Sequence, residues 1–312
     1  MKKVAILMST YNGSKYLEEQ LNSLLNLNHE NLDIQIIIRD DGSTDDTLEI
    51  LKEYSEKNKK INYYTGNNKG PAYSFLDMVY KYNDFDYYSF CDQDDFWEEP
   101  KIEQAVRKMK NFEEIPTVYF TPVKLVDSKL KYISTCKNSI TLSLATSMMV
   151  NPAIGCTLVF NKKMRDIVVK SRPSGNIGMH DSWIYRIAQA LDAKIIYDNI
   201  SYIKYRQHEN NVMGISTKRT LKKYFEYLFR KKKRVIGNVS YLIYKDYKDI
   251  ISKENEKILN SIIQVYLKND FLSKIKLLFN RNFRSNNIKE NLKFNYDVIF
   301  NKIYSKKEME EK

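Results

Sequence analysis

The sequence predicts an α/β fold, with a mostly parallel central sheet flanked by helices and an α-helical extension at the C-terminal end. In the first hundred residues, short apolar runs alternate with amphipathic segments, the pattern of parallel strands joined by crossover helices. The predicted buried strands lie at 4–8, 34–38, 61–64 and 86–91. Polar and acidic residues follow the first, second and fourth of these runs. Open α/β sheets bind ligands at that edge, so we expect the functional site there.

The second half of the chain has a less regular pattern. Strands are predicted at 118–120, 153–160, 194–197 and 200–203. A helix is predicted at 182–191, directly after His180 and Asp181. We therefore expect further strands and helices to complete the same domain.

Motif content and composition exclude several classes of protein. The chain has neither a G-x-G-x-x-G sequence after the first strand nor a G-x-x-x-x-G-K-[ST] sequence, which argues against a dehydrogenase or a P-loop enzyme. Three cysteines without C-x-x-C spacing argue against a disulfide framework or a zinc site and suit a reducing cytoplasm. Lys2 and Lys3 lead directly into a short strand, so no signal peptide is expected, and no uncharged run is long enough to predict a transmembrane helix.

Positive charge is concentrated in the last third of the chain. Residues 1–215 hold 27 Lys+Arg and 28 Asp+Glu, whereas residues 216–312 hold 24 and 11. We therefore predict one domain at 1–215 and a basic α-helical extension at 216–312. Within it, 218–235 interleaves nine basic residues with aromatics and leucines, a pattern typical of a helix on an anionic membrane surface. A nucleic-acid patch and a solvated helix face are the other interpretations of this pattern.

An acidic turn follows the fourth predicted strand. Asp92, Asp94 and Asp95 fall within four residues and repel one another. A divalent cation with a bound polyphosphate would balance this charge, because hard cations prefer oxygen ligands. The alternative interpretation is a solvated acidic turn.

The turns after the first two strands carry groups that suit a nucleotide. Ser9, Thr10, Tyr11 and Asn12 offer hydroxyls, an aromatic ring and an amide, so a flat base could stack on Tyr11. Asp41 could accept a hydrogen bond from the imide N–H of uracil or thymine. Alternatively, Tyr11 is a core aromatic and Asp41 caps the next helix.

Four sequences in this order resemble the N-terminal half of the inverting family 2 glycosyltransferases, which have the GT-A (Rossmann-like) fold. They are MSTYNG at 8–13, RDDGSTD at 39–45, NKG at 68–70 and DQDD at 92–95. Two further segments, HDSW at 180–183 and YRQHENNVMG at 205–214, resemble the subgroup of bacterial rhamnosyltransferases and related polysaccharide-building enzymes. The resemblance therefore covers the predicted domain to about residue 214 and implies that it is the catalytic domain.

The resemblance implies a role for each matching residue. Asp181 would be the catalytic base, Asp94 and His208 would bind Mn²⁺ or Mg²⁺, and Asp95 is the alternative metal ligand to Asp94. The residues implied in nucleotide-sugar binding are Ser9, Thr10, Tyr11, Asn12, Asp41, Asn68, Gly70, Asp92 and Gln93. Those implied in contacts with the acceptor or the diphosphate are His180, Trp183 and Arg206. His180 stands where many family members have Glu.

These roles would make the protein a metal-dependent inverting glycosyltransferase of bacterial type. The implied donor is dTDP-L-rhamnose, with UDP-sugars as the alternative, and the implied acceptor is a hydroxyl of a cell-surface polysaccharide or its lipid-linked precursor. A cytoplasmic enzyme held at the inner face of the membrane by its basic helices, without nucleic acid, fits this function, and self-association as a homodimer stays open. A sugar-nucleotide nucleotidyltransferase and a catalytically silent glycan- or nucleotide-binding module are the competing hypotheses.

Overall fold

The computed structural model of the protein describes residues 1–28, 30–136, 141–208 and 234–303. Most of the basic segment at 218–235 therefore lies outside the described residues. The predicted domain boundary near residue 216 lies outside them as well.

A seven-stranded sheet forms the centre of the molecule. Its strands lie in the order β3-β2-β1-β4-β9-β6-β10. Their bounds are β1 Lys2–Thr10, β2 Leu32–Asp40, β3 Ile61–Thr65, β4 Tyr87–Cys91, β6 Thr117–Phe120, β9 Val159–Asn161 and β10 Lys194–Tyr197. All neighbours are parallel except β9, which runs antiparallel between β4 and β6. The predicted mostly parallel sheet is confirmed.

Helices cover the sheet, as the alternating pattern predicts. In the first half they are α1 Ser14–Leu25, α2 Thr47–Lys57, α3 Gly70–Lys81 and α4 Lys101–Met109. In the second half they are α5 Leu144–Met149, α6 Lys162–Val168 and α7 His180–Ala190. The central strands are continuous apolar runs because helices pack on both of their faces.

The sheet changes direction in strand order between β1 and β4. The chain goes from β1 outward to β2 and β3, then returns to place β4 on the other side of β1. The carboxyl ends of β1, β2 and β4 therefore meet at a switch point, where the following loops leave a crevice. These loops begin with Tyr11, Asp41 and Asp92.

A second, four-stranded sheet has the order β5-β11-β7-β8. Its strands are β5 Phe96–Trp97, β7 Val123–Val126, β8 Tyr132–Cys136 and β11 Ile203–Arg206. The strand predicted at 200–203 thus begins where the prediction ends, and the strand predicted at 153–160 is mostly a loop and a 3-10 turn at Gly155–Thr157. Burial of the 153–160 run explains its apolar composition without a strand.

Among the described residues, four helices follow residue 233. They are α8 Ile236–Tyr247, α9 Lys253–Lys268, α10 Phe271–Leu278 and α11 Ile288–Ile299. Val239 and Ile262 belong to the same buried apolar cluster as Phe75 of α3 and Trp183 of α7. The described C-terminal helices therefore share a core with the sheet domain. No helix among the described residues is both long enough and apolar enough to span a bilayer.

Candidate active site

The loop after β1 is tied to the loop after β4 by one side chain. Gln93 accepts a hydrogen bond from the backbone N–H of Tyr11 (2.9 Å) and donates one to the Tyr11 carbonyl oxygen (3.2 Å). A Cβ at Gly13 would lie 2.2 Å from Gln93 Oε1, so only glycine leaves room for this amide. The Tyr11 ring, 49% exposed, lies outside this bridge and is available for stacking.

The same loop is also tied to the loop after β2. Asn12 adopts a positive φ of 48°, and its Oδ1 accepts a hydrogen bond from the Thr44 backbone N–H at 2.8 Å. The Asn12 backbone N–H in turn donates to Ser43 Oγ at 2.9 Å. Asn12 is among the residues that visit this backbone region more readily than others. The predicted base-binding loop is thus shaped partly by Asn12 itself.

Two residues predicted to bind the nucleotide, Ser9 and Thr10, form hydrogen bonds within the protein through their hydroxyl groups. Thr10 is fully buried and donates to Asp40 Oδ2 at 2.9 Å. Ser9 Oγ lies 2.7 Å from Ser74 Oγ. Both hydroxyls therefore support the crevice from within the protein, and the buried Thr10 side chain is not available for direct contact with a nucleotide.

Asp41 anchors the start of α3. Its Oδ2 accepts hydrogen bonds from the backbone N–H groups of Lys69 and Gly70, both at 3.0 Å, and its Oδ1 pairs with Arg39. Gly70 has a φ of +73°, and its N–H also approaches Asn68 Oδ1 at 3.0 Å. Asp41, Asn68 and Gly70 thus form one bonded unit beside the base-binding loop, and the alternative of Asp41 as a helix cap for α2 is wrong.

Arg39 was not singled out by the sequence patterns. It is 2% exposed and also donates to Ser74 Oγ (3.0 Å) and to the Asn67 carbonyl oxygen (2.9 Å). Ser74 thereby connects Ser9 of β1 to the Arg39–Asp41 pair. A charged residue at the end of an otherwise apolar strand was the signal that could have identified it.

The acidic loop brings together the two predicted metal ligands. His208 Nε2 lies 2.7 Å from Asp94 Oδ2, although 114 positions separate them in sequence. Both side chains are partly exposed. The Tyr16 ring lies beside the imidazole, with 5.1 Å between ring centroids.

Arg206 binds the acidic loop at Asp94 and Asp95 from the interior of the protein. Its backbone N–H donates to Asp95 Oδ1 (3.2 Å), its Nε donates to the Asp94 carbonyl oxygen (2.8 Å), and its remaining nitrogens reach Ser128 and Glu19. It is 1% exposed. The structure therefore corrects the expectation that Arg206 contacts the acceptor or the diphosphate, because its guanidinium is occupied by the protein.

Asp95 points into the protein and away from the crevice. It is fully buried and supports the Arg206 backbone, and it does not cap the helix that follows. Burial and the neighbouring charges of Asp92 and Asp94 raise the pKa of Asp95 well above its usual range. Beneath it, Lys101 lies with its Nζ 3.1 Å from Ser89 Oγ, and burial lowers the pKa of this lysine to about 7.

Asp92 connects the acidic loop to the second predicted carboxylate. Burial, and then the charges of Asp94 and Asp181, raise the pKa of Asp92 to about 7. Asp92, Asp95 and Cys156 place ligand atoms within 4.8 Å of one another. The proximity of Asp181 to this group places the predicted base in the same site.

Asp181 lies in the first turn of α7. Its carboxylate accepts a hydrogen bond from the Ser182 backbone N–H, and the Gly155 backbone and the Arg186 charge also favour its ionised form. Burial outweighs these effects and raises the pKa of Asp181 to about 6. A Cβ at Gly155 would lie 3.1 Å from His180 Nε2 and 3.6 Å from Asp181 Oδ2, so the 3-10 turn is packed closely against this carboxylate.

His180 and Trp183 belong to the core. The His180 ring stacks on Phe75 (3.9 Å) and meets the edge of Phe90 (4.4 Å), and burial lowers its pKa to about 3. Trp183 has no exposed surface. Both expectations of direct acceptor contact are corrected here, because neither side chain reaches the crevice. From the sequence alone, a histidine or tryptophan that packs in the core cannot be distinguished from one that binds a ligand.

The residues present fit a divalent cation. Asp94 and His208 place a carboxylate oxygen and an imidazole nitrogen side by side at the protein surface, next to Asp92. This donor set suits Mn²⁺, and the carboxylates suit Mg²⁺. The buried Asp95 is engaged with Arg206, so Asp94 is the better placed of the two candidate ligands.

The family of the chain is identified by comparison with known proteins. The family described as "Glycosyl transferase family 2" matches residues 5–169, more than half of the chain. The chain belongs to glycosyl transferase family 2. It is a glycosyltransferase, as the resemblance of its motifs predicts.

Individual relatives agree with this assignment. The dTDP-rhamnosyl transferase RfbG of Shigella flexneri is 30% identical over 225 residues, which span 66% of this chain and 73% of that protein. Residues 1–349 of TarS from S. aureus, solved in complex with UDP, superimpose with a TM-score of 0.56 at 16% identity, covering 97% of this chain and 89% of that chain. The mannosyltransferase PcManGT from Pyrobaculum calidifontis, solved with GDP-Man and Mn²⁺, gives 0.52 at 12% identity, covering 97% and 85%. At these identities the two structures show that the GT-A fold is shared.

Proposed function

We propose that this glycosyltransferase moves a sugar from a nucleoside diphosphate to an acceptor hydroxyl with inversion, using Asp181 as the base and Asp94 and His208 as metal ligands. The observation that carries this proposal is the presence of two distinct carboxylate groups in one site. The first is Asp94, whose Oδ2 lies 2.7 Å from His208 Nε2. The second is Asp181, which lies close enough to Asp92 for its charge to raise the pKa of Asp92. A single inverting displacement needs one group that balances the diphosphate and a separate one that takes the acceptor proton.

The donor nucleotide would lie across the switch point. The exposed Tyr11 ring would stack on the base, with Asn12 beside it in the same loop. The bonded unit of Asp41, Asn68 and Gly70 would border the base. Asp92 would face the ribose or the diphosphate. The loop after β1 is held in place by Ser9, Thr10 and Gln93. The contribution of these three side chains to nucleotide binding is therefore mainly indirect.

The acceptor hydroxyl would lose its proton to Asp181. A raised pKa makes this carboxylate a stronger base than an ordinary aspartate, yet leaves it mostly ionised at neutral pH. The Ser182 N–H and the packed Gly155 turn hold its oxygens in one orientation. A bound divalent cation would neutralise the charge that develops on the leaving diphosphate.

The favoured donor is dTDP-L-rhamnose, with a UDP-sugar as the alternative. The rhamnosyl transferase relative supports the first, and the UDP complex of TarS supports the second. We place the acceptor among bacterial cell-surface polysaccharides or their lipid-linked precursors. The basic C-terminal part of the chain would keep the enzyme at the anionic inner face of the membrane, where such precursors are found.

A panel of nucleotide sugars tests this function. With Mn²⁺, purified protein should release the nucleoside diphosphate from one donor, with dTDP-L-rhamnose expected to be the best substrate. The released nucleotide is identified by ion-exchange chromatography, and the anomeric configuration of the product by NMR. Release of pyrophosphate would contradict the proposal in favour of a nucleotidyltransferase, and binding of nucleotide without any turnover would favour a silent module.

Activity should depend on pH through Asp181. Since burial raises its pKa to about 6, kcat/KM should be nearly constant above that value and fall about tenfold per pH unit below it, as the base becomes protonated. The measurement is kcat/KM between pH 5 and 9, with the Kd of the nucleoside diphosphate measured in parallel to separate catalysis from binding. A rate that stays flat down to pH 5 would contradict the assignment of a buried aspartate as base.

A further inference from the structure

The last two helices of the described part of the chain, α10 and α11, present apolar side chains to solvent. Seventeen large hydrophobic residues are exposed among the described residues, and eight of these lie between Leu267 and Phe300. Isolated exposed hydrophobic residues are ordinary, but a concentration of this kind marks an interaction surface. We define the C-terminal apolar face as Phe271, Leu272, Phe279, Ile288, Leu292, Ile299 and Phe300.

On α10 and at Phe279, the residue that directly follows it, these residues form one stripe. At about 100° per residue, Phe271, Leu272 and Phe279 fall within an arc of roughly 100°. They are 75%, 66% and 77% exposed, whereas Leu277 on the opposite side is fully buried. The helix is thus apolar on its buried side and also on its outer side, which packing against the protein does not require.

The same arrangement recurs on α11. Ile288, Leu292 and Ile299 lie within an arc of about 40° and are 73%, 58% and 52% exposed. Phe294 and Val298 form the buried side. Phe300, 57% exposed, follows the helix directly.

The two helices that carry these stripes contact each other. Lys274, beside the stripe of α10, donates a hydrogen bond to Asn301, next to Phe300 at the end of α11. The connection between the helices is fixed by Phe283, which stacks on Phe294 with 5.2 Å between ring centroids. The two helices that carry the stripes are therefore held in contact with each other.

Basic residues surround this face. Between residues 267 and 303 there are eight Lys or Arg and three Asp or Glu, and Glu290 and Asp297 are paired within the protein to Lys293 and Arg234. Lys276 and Lys289 are exposed beside the two stripes, as are Arg281 and Arg284 in the connecting loop. The charge complements an anionic surface, whereas two copies of this face would repel each other.

We propose that α10 and α11 dock on an anionic lipid bilayer, with the C-terminal apolar face inserted among the acyl chains and the basic residues on the phosphate headgroups. This inference deepens the membrane location within the proposed function and names its contact surface. An interfacial helix binds in this way, by burying an apolar stripe and pairing its flanking charges. The predicted contact is separate from the basic segment at 218–233, which lies outside the described residues.

The test is co-sedimentation of the full-length protein with vesicles. Parent protein should bind vesicles of phosphatidylglycerol and phosphatidylcholine and bind pure phosphatidylcholine much more weakly. The double variant Phe271→Ser/Phe279→Ser should lower the partition coefficient on anionic vesicles about tenfold or more, because both rings leave water on binding. The double variant Lys276→Glu/Lys289→Glu should weaken binding to a similar degree, and more so at low salt.

The matched control is Tyr132→Ser/Ile200→Ser, which removes two side chains of 60% and 53% exposure outside this face. It should bind as the parent does. Unchanged binding of the Phe271→Ser/Phe279→Ser variant would overturn the proposal, as would a parent that does not bind. Light scattering that shows a parent dimer converted to a monomer by the same variant would assign the face to a second copy instead. Because sedimentation requires no turnover, this result is independent of the donor panel.

Discussion

Asp181→Asn should abolish sugar transfer while leaving the donor bound. The asparagine keeps the size of the side chain and can still accept the Ser182 N–H, but it cannot take the acceptor proton. Loss of a general base costs about 10²–10⁴-fold, so we expect kcat to fall roughly a thousandfold. The measurements are kcat with the best donor and the Kd of its nucleoside diphosphate, which should change less than about twofold.

The Tm of the Asp181→Asn variant distinguishes a catalytic role of Asp181 from a structural one. Burial raises the pKa of Asp181, so its ionised form costs folding free energy at neutral pH, and the neutral asparagine removes that cost. The Tm of the variant should therefore equal or exceed that of the parent. Asp84→Asn, a change at a carboxylate that is 85% exposed, is the control for loss of one negative charge. A fully active Asp181→Asn enzyme would exclude the base assignment.

Asp94→Ala should remove the stabilisation that Mn²⁺ adds to the nucleotide complex. A ligand at a hundredfold excess over its Kd stabilises a folded protein by about 2.7 kcal/mol, which corresponds to several degrees in Tm. For parent protein with UDP or dTDP, adding Mn²⁺ should raise Tm by roughly 5 °C, and this increment should vanish in the variant. Differential scanning fluorimetry with and without EDTA measures it.

Asp95 and Glu99 provide the comparison for Asp94. Asp95→Asn should leave the ligand-free Tm equal to or above that of the parent, because the amide oxygen can still accept the Arg206 N–H and burial already disfavours the charged carboxylate, and it should keep the metal-dependent increment. Glu99→Ala changes an exposed carboxylate near the same loop and should behave as the parent does. If Asp95→Asn instead loses the increment and Asp94→Ala keeps it, the ligand assignment is reversed.

The parallel part of the fold could be predicted from local patterns. Apolar runs of five residues, separated by amphipathic segments, specify buried strands and crossover helices, and the structure confirms them. The antiparallel β9 and the second sheet could not be predicted. Strand direction and pairing there depend on contacts between distant segments, such as Phe96 of β5 with Lys204 of β11.

The sequence motifs named residues that the fold brings together, such as Asp94 and His208, but they did not specify the contacts among them. Asp94 and His208 were both expected as ligands, yet no local signal could state that their side chains meet across 114 positions. Arg206 and His180 were assigned to the crevice, whereas tertiary packing places both beneath it. Arg39 was missed because its importance arises only from partners on other elements, chiefly Asp41 and Ser74.

The amide bridge of Gln93 has a consequence for attempts to change the donor sugar nucleotide. Residues 11–13 and residue 93 are matched in shape, since the space that glycine leaves at position 13 is filled by the glutamine side chain. A loop grafted after β1 with any residue larger than glycine at position 13 would collide with the resident glutamine. An exchange of the loop after β1 in this enzyme must therefore also replace residue 93 with the residue that the donor of the loop has at that position.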